Sequence, residues 1–189
     1  YCGAVHTHSS NSEIFEHVRE NEEAIFFVQD IPARNTKVKP RVMWDKGCNR
    51  VLIRDSFAKK SNLVSKEVVY TMEVVGDSKP KQIKSKIYLL DLIDMYGNIH
   101  SIWGYGTPKI MTSSIPDLSV IRHLFPHVPA DAFMSLPSKE VDVLIGLNMN
   151  ELQPAGGLGT DRVKGLSALR SLFGCGWVVG GHHDDIKNT

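Results

Sequence analysis

The sequence lacks a strong charge of either sign, a cysteine framework and a long apolar run. Its 189 residues carry 22 Lys and Arg against 21 Asp and Glu, a formal net charge of +1. This balance leaves no strongly basic stripe for sequence-independent nucleic-acid binding and no acidic tail. We therefore expect no nucleic-acid partner for this segment. The three cysteines, Cys2, Cys48 and Cys175, lie far apart without Cys-x-x-Cys spacing, which argues against a disulfide framework and favours a reducing compartment.

No apolar run approaches the roughly 18 residues needed to cross a bilayer, and residues 1–20 are too polar for a signal peptide. These features predict a soluble, cytoplasmic protein with no membrane partner. The apolar residues, 42% of the chain, are enough for the core of one domain. Because the chain opens on Tyr1 rather than Met, we expect it to be a segment of a longer polypeptide.

The residue patterns predict a mainly β chain with one or two short helices. The first apolar run, residues 24–28, is expected to form a hairpin with a strand at 41–44. Turn residues at 76–80 and 94–98 predict two further hairpins. The other expected elements are strands at 51–53, 68–75, 83–93, 99–105, 141–145 and 173–179, and short helices at 55–60, 118–125 and 148–152.

The composition divides the chain into a polar arm at 1–22, a domain at 23–183 and a polar tail at 184–189. A proline-punctuated insertion is expected within the domain at about 113–138. The arm holds Cys2, His6 and His8, which are residue types that bind Zn²⁺. Alone they offer at most three ligands, so we favour a polar linker and predict neither a metal nor another cofactor.

A carboxylate directly follows a predicted buried strand, in the run Met43-Trp44-Asp45-Lys46-Gly47. Gly permits a tight turn, and such a turn presents an acid at the floor of a cleft. Asp and Gly are also the commonest residues of an ordinary strand-end turn, so the tripeptide alone does not decide between the two interpretations. About a hundred residues later, a second apolar strand ends in Leu144-Ile145-Gly146.

Together, these features resemble the retropepsin half of the aspartic protease fold. The segments 43–60, 105–110, 141–146 and 173–181 are similar to the protease of BEL/Pao-type LTR retrotransposons. The most family-specific of them is Phe173-Gly174-Cys175-Gly176-Trp177-Val178-Val179-Gly180-Gly181, and the likeness covers residues 24–183. It implies a mainly β, retropepsin-like β-barrel half with short α-helices, a flap hairpin, and a C-terminal helix and strand. It also implies that the polar arm is the remnant of an upstream Cys/His knuckle.

The resemblance implies an aspartic endopeptidase that cleaves peptide bonds of a retroelement polyprotein, inside the cell or within retroelement particles. Retropepsin subunits contribute one aspartate each, and this chain has a single Asp-x-Gly, so a homodimer is expected. Asp45 and its symmetry mate would share one proton and activate a water molecule.

The other site residues are implied by the same resemblance. Gly47 belongs to the catalytic turn, and Leu144, Ile145 and Gly146 form the structural apolar-apolar-Gly motif. The hairpin at 88–105 is expected to be the flap that closes over the peptide. Its substrate-binding residues would be Asp94, Gly97, Trp103 and Tyr105.

One residue departs from the family pattern. The position after the catalytic aspartate is normally Ser or Thr, and here it is Lys46. In a two-fold dimer, two ammonium groups would approach the same centre and could accept no hydrogen bond. The alternative is therefore a catalytically silent retropepsin-like domain that dimerises or binds peptides.

Four residues near the motifs are interpreted as structural. Cys48 has no histidine placed by a motif as its base, so we expect a small buried residue rather than a nucleophile. Asp142 stands among aliphatic residues, which favours a structural carboxylate. Trp44 and Trp177 are expected in the core or in an interface.

Overall fold

The computed structural model describes residues 24–72, 81–113, 117–134, 139–156 and 161–182, and in these ranges the chain is mainly β. The polar arm, with Cys2, His6 and His8, and the tail at 184–189 lie outside the described residues. In the described part, no helix is long and apolar enough to span a membrane.

The strands are β1 Val28–Asp30, β2 Arg41–Trp44, β3 Val51–Arg54, β4 Ser65–Met72, β5 Lys81–Ile93, β6 Ile99–Thr107, β7 Thr112–Ser113, β8 Lys139–Glu140, β9 Val143–Ile145, β10 Asp161–Val163, β11 Leu166–Arg170 and β12 Trp177–Gly181. Helix α1 is Asp55–Lys60, and the 3₁₀ helices are Leu118–Leu124, Ala130–Phe133 and Leu147–Leu152.

Seven strands form one mixed sheet in the order β1-β2-β9-β3-β6-β5-β4. Strand β9 is parallel to β2 and antiparallel to β3, so it separates two strands that follow each other in the sequence. Within the described residues the sheet is open rather than a closed barrel. The segment after β1 nevertheless returns to β5, where Ile93 N donates to Pro32 O at 2.9 Å and Arg34 N donates to Asp91 O at 2.8 Å.

Side chains alternate between the two faces of this sheet, as they must in extended strands. One face carries the main core, which includes Val42, Trp44, Val51, Ile53, Val143 and Ile145. The opposite face, here called the second face, carries a smaller cluster built on Met43, Leu144 and Leu52. Asp45 directly follows Trp44 at the end of β2, so the same alternation directs it to the second face.

The described part of the proline-punctuated insertion packs against the C-terminal strands. Strands β10, β11 and β12 form a three-stranded antiparallel sheet. Phe125, which directly follows the 3₁₀ helix Leu118–Leu124, and Phe133, which ends the 3₁₀ helix Ala130–Phe133, are fully buried with their rings stacked 6.1 Å apart. They form one cluster with Leu166 and Trp177 of that sheet. The described part of the insertion, residues 117–134, therefore covers the C-terminal sheet and not the second face.

Several predicted elements are confirmed, including the mainly β class, the strands at 41–44 and 51–53 and the helix at 55–60. The first strand begins only at Val28, because Ile25 instead forms a bridge with Gly181. The final strand begins at Trp177 rather than at 173, after a turn in which Ser171 N donates to Gly176 O at 2.9 Å.

The helix predicted after Gly146 forms as a short 3₁₀ helix, Leu147–Leu152, and not as a regular α-helix. Met149 leaves helical geometry, with φ −111° and ψ 53°. The Gln153 side chain turns back and donates to the carbonyls of Ile145 and Gly146, at 2.8 and 2.9 Å. These bonds tie both ends of the segment together, which leaves no room for a regular helix.

The β10–β11 hairpin was missed from the sequence, although a local signal for it exists. Lys164 and Gly165 form its two-residue turn, with φ 50° and 84°. Two positive φ angles in succession are typical of a type I′ turn, which matches the right-handed twist of the flanking strands. Gly165 is the residue from which this turn could have been predicted.

Candidate functional site

The loop that follows Asp45 connects β2 to β3. It crosses the chain at the point where that chain leaves β9, between Ile145 and Gly146, here called the exit of β9. Asp45 N donates to Ile145 O at 3.1 Å on one side of that exit. Gly146 N donates to Arg50 O at 3.0 Å on the other side. The two motifs that lie a hundred residues apart in sequence are therefore joined by backbone hydrogen bonds.

Gly146 is required by the close approach of two backbones. A Cβ atom there would lie 2.5 Å from Arg50 O and would also overlap the carbonyl oxygen of Cys48. The φ of Gly146 is −89°, a value that any residue can adopt, so the constraint is space and not backbone conformation. Leu147 N donates to the same Cys48 carbonyl at 2.6 Å, which holds the loop against β9.

The Asp45 carboxylate is half-buried and is oriented by its own turn. Its Oδ1 atom accepts a hydrogen bond from Gly47 N at 2.8 Å. Lys46 and Gly47 are both exposed, so the Lys46 ammonium group belongs to the surface of the protomer. The turn thus presents a fixed carboxylate at the edge of the second face.

A groove of about 810 Å³ lies between the β4–β5 hairpin and the elements β3 and α1, and neither Asp45 nor Arg50 lines it. Its apolar lining includes Leu52, Val68 and Ile83. Its charged lining consists of Lys59, Lys84, Lys86, Asp55 and Glu67. An apolar floor with a polar rim is typical of sites that bind a ligand or a peptide.

One of the groove carboxylates is already engaged. Tyr88 donates its hydroxyl hydrogen to Asp55 Oδ1 at 2.9 Å. Burial of the tyrosine, together with this hydrogen bond and the negative charge of Asp55, raises the pKa of Tyr88 to about 12. The pair therefore fixes the end of β3 and the start of α1 against β5.

Arg50 connects the loop to the β4–β5 hairpin. The central carbon of its guanidinium group lies 5.0 Å from the centre of the Tyr70 ring and 5.1 Å from that of the Tyr105 ring. The two rings meet edge to face at 5.1 Å. The guanidinium carbon and the two ring centres thus form a nearly equilateral triangle, and the cation is attracted to both rings. Arg50, Tyr70 and Tyr105 form one unit, here called the arginine clamp.

The turn predicted as the tip of the flap lies away from the groove. The turn at 94–98 packs against the C-terminal segment, where Met95 N donates to Leu172 O at 2.8 Å. The His100 ring meets the Phe173 ring edge to face at 5.6 Å. Asp94 and Gly97 therefore do not lie over the groove, and the hairpin that forms its wall is β4–β5.

Asp94 and Gly97 instead build the turn between β5 and β6. Asp94 Oδ1 accepts from the backbone N–H groups of Tyr96 and Asn98, both at 2.9 Å. Its Oδ2 atom pairs with His100 Nε2 at 2.9 Å. The hydrogen bond from His100, followed by those from Asn98 and Tyr96, lowers the pKa of Asp94 to about 2. Gly97 supplies the positive φ, 85°, that the turn needs.

The other two residues predicted for the flap lie on β6, on the same face as Leu52. Tyr105 belongs to the arginine clamp and so lies close to the Asp45 loop. Trp103 is more than one-third exposed, and the ammonium group of Lys66 lies 4.7 Å from its ring centre. The sequence thus named one residue of the clamp and missed Arg50 and Tyr70.

The four residues interpreted as structural behave as expected, with one adjustment. Asp142 is buried, accepts from Arg41 N at 2.9 Å and forms an ion pair with Arg54. Trp44 and Trp177 are buried in the main core and in the C-terminal cluster. Cys48 is only half-buried, and its thiol points to the carbonyl of Arg50 at 3.7 Å.

The comparisons with known proteins give no match. No protein-family model matches the chain, and no curated protein or solved structure is significantly similar to it. In the described residues, no group of three or more His, Cys, Asp or Glu side chains could hold a metal ion. The features of this chain that indicate a function are the Asp45 loop, the groove and the arginine clamp.

Replacing Gly146 tests the contact under the loop. We expect Gly146→Ala to lower the free energy of unfolding by about 1–3 kcal/mol, because the added methyl group overlaps backbone atoms that cannot move independently. The neighbouring Leu147 is exposed, so Leu147→Ala is the matched control and should change stability by less than about 0.5 kcal/mol. Urea denaturation measures both, and equal effects would contradict the proposed contact.

Replacing Asp94 tests its role in the turn through pH. Because folding lowers the pKa of Asp94 from 3.8 to about 2, its ionised form stabilises the fold fully above the unfolded value. That contribution is lost as the pH falls from 3.8 towards 2. Asp94→Asn should therefore lower the melting temperature at pH 5 and flatten its decline between pH 4 and pH 2. Thermal unfolding followed by circular dichroism measures this, and an unchanged slope would count against the assignment.

Proposed function

We propose that this chain is one subunit of a homodimeric, retropepsin-like aspartic endopeptidase, similar to the proteases of BEL/Pao-type LTR retrotransposons. The observation that supports it most is the junction of Asp45-Lys46-Gly47 with Leu144-Ile145-Gly146. These two motifs led to the resemblance independently of the fold. They lie at hydrogen-bond distance, with β9 inserted between the strands that carry the Asp45 loop.

The chemistry follows from two Asp45 carboxylates, one from each subunit. Two such groups held close together cannot both ionise cheaply, so they share one proton. The ionised carboxylate takes a proton from a water molecule while the water oxygen attacks the scissile carbonyl carbon. The protonated carboxyl group donates its proton to the carbonyl oxygen. The peptide C–N bond then breaks as the leaving nitrogen accepts a proton.

The local structure supplies the orientation that this reaction needs. The hydrogen bond from Gly47 N to Asp45 Oδ1 restrains one oxygen of each carboxylate. The contact between the loop and Gly146 fixes the position of that turn. A preorganised pair does not have to reorient during the reaction, which lowers the barrier.

The groove is the proposed binding site for the polyprotein substrate, which would bind as an extended peptide. In this proposal the β4–β5 hairpin takes the role of the flap, because it forms one wall of the groove and its Tyr70 contacts Arg50 at the end of the Asp45 loop. Closure of such a hairpin excludes water and strengthens the polar contacts inside the site. The connection at 73–80 lies outside the described residues.

Lys46 favours a second candidate, a silent domain that dimerises or binds peptides. Its ammonium group stands directly beside Asp45 in the sequence and is exposed in the protomer. A dimer centre that buried two such groups would carry uncompensated charge, which costs several kcal/mol. In the active enzyme, both Lys46 side chains must therefore extend away from that centre into water.

Replacing Asp45 tests the peptidase directly. Asp45→Asn should reduce kcat/KM for peptide cleavage by at least about 1,000-fold, because an amide can neither share the proton nor activate water. Wild-type cleavage should be favoured by acid and blocked by pepstatin, a mimic of the tetrahedral intermediate. The control is Asp117→Asn, which removes an exposed carboxylate from the 3₁₀ segment over the C-terminal sheet. Retained cleavage by Asp45→Asn would sink the assignment.

Replacing Lys46 separates the two candidates. For an active enzyme with outward-pointing lysines, Lys46→Thr should change the cleavage rate by less than about fivefold, the effect of a surface charge contact. Lys46→Gln removes the charge without adding a hydroxyl group and should behave in the same way. Cleavage that appears only in Lys46→Thr would identify the wild-type chain as a silent domain.

A further inference from the structure

The arginine clamp places a positive charge between the Asp45 loop and the β4–β5 hairpin. Arg50 is half-buried, and the Tyr70 and Tyr105 rings lie within 5.1 Å of its guanidinium carbon. A guanidinium group has five N–H donors, and within the described residues those of Arg50 have no hydrogen-bond acceptor.

The described residues give this guanidinium group no carboxylate partner. Arg41 and Arg54, by contrast, form ion pairs with Asp30 and Asp142. The rings attract the cation but accept none of its in-plane hydrogen bonds. An arginine held in a fixed direction with its donors available is suited to bind a carboxylate supplied from outside the chain.

The position of the clamp indicates where such a carboxylate would lie on a bound peptide. Asp45 and Arg50 stand on opposite sides of the exit of β9, at the ends of β2 and β3. Two interstrand spacings separate these strands, which is about 10 Å. An extended peptide advances about 3.3 Å per residue, so a side chain near Arg50 is about three residues from the bond held at Asp45.

The groove beside the clamp favours the same sign of charge in its ligand. It is lined by Lys59, Lys84 and Lys86 and by only two carboxylates, and the carboxylate of Asp55 is held by Tyr88. Tyr70 lines the groove and also belongs to the clamp. Arg50 itself does not line the groove, so a carboxylate near the clamp would be held by Arg50 and not by these lysines.

We propose that Arg50 is a specificity-determining residue that selects substrates with a Glu or Asp side chain two to four residues from the scissile bond. This inference rests on the proposed peptidase function. It adds a chemical class of substrate, an extended peptide with an acidic residue near the cleavage site.

Peptide cleavage tests this inference. Matched peptides carry either Glu or Gln at two, three or four residues from the scissile bond. At about pH 5.5 a Glu side chain is ionised, and the wild-type dimer should cleave at least one Glu peptide about tenfold faster than its Gln partner. Arg50→Gln should abolish the preference, and Arg50→Glu should shift it towards Lys peptides. Arg170→Gln is the matched control, because Arg170 lies 4.1 Å from the Trp177 ring centre in the C-terminal sheet, and it should retain the wild-type preference.

Binding separates failure of this inference from failure of the peptidase proposal. Fluorescence anisotropy with Asp45→Asn subunits measures peptide affinity without cleavage, and the Glu peptide should bind about tenfold more tightly than the Gln peptide. If no peptide is cleaved but this ratio depends on Arg50, the peptidase proposal fails and the recognition of acidic peptides stands. If peptides are cleaved without a Glu preference, or the preference survives in Arg50→Gln, the inference is overturned and the peptidase proposal stands.

Discussion

The backbone of β9 leaves the sheet at Gly146 directly under the loop that joins β2 to β3, with no space between them for a methyl group. This contact determines where Asp45 lies, because hydrogen bonds on both sides of Gly146 hold the two ends of the loop. It also ties together residues that are a hundred positions apart. The carboxylate turn therefore exists only when the sheet has formed, and Gln153 reinforces it by binding the carbonyls of Ile145 and Gly146.

The rest of the proposed site follows from the insertion of β9 between β2 and β3. Alternation along these strands sends the larger apolar side chains into the main core and leaves Met43, Leu52 and Leu144 on the second face, beside the groove. The parallel pairing of β3 with β6 brings Tyr105 to Leu52 and so creates one side of the arginine clamp. The insertion and the C-terminal sheet pack against each other, so they stabilise a separate cluster.

The sequence predicted the elements whose signals are local. Strands β2 and β3, helix α1 and the structural role of Asp142 could be read from apolar alternation, a helix start and the neighbours of the acid. The hairpin that lines the groove could not be predicted in this way, because the segments 76–80 and 94–98 carry similar turn residues. Which of them flanks the groove is decided by non-local pairing, with β5 extending past β6 to pair with β4. The Gln153 bonds that make the Leu147–Leu152 segment a 3₁₀ helix, and the ring contacts of Arg50, are likewise invisible in local patterns.

If two Asp45 carboxylates form one site, a subunit that carries Asp45→Asn must inactivate its wild-type partner. The most direct measurement mixes wild-type and Asp45→Asn subunits, refolds them together at a constant total concentration and records peptide cleavage. A shared site predicts that activity falls as the square of the wild-type fraction, so an equal mixture keeps about one quarter of full activity. A linear fall, with about half remaining in the equal mixture, would mean that each chain acts alone and would contradict the shared site.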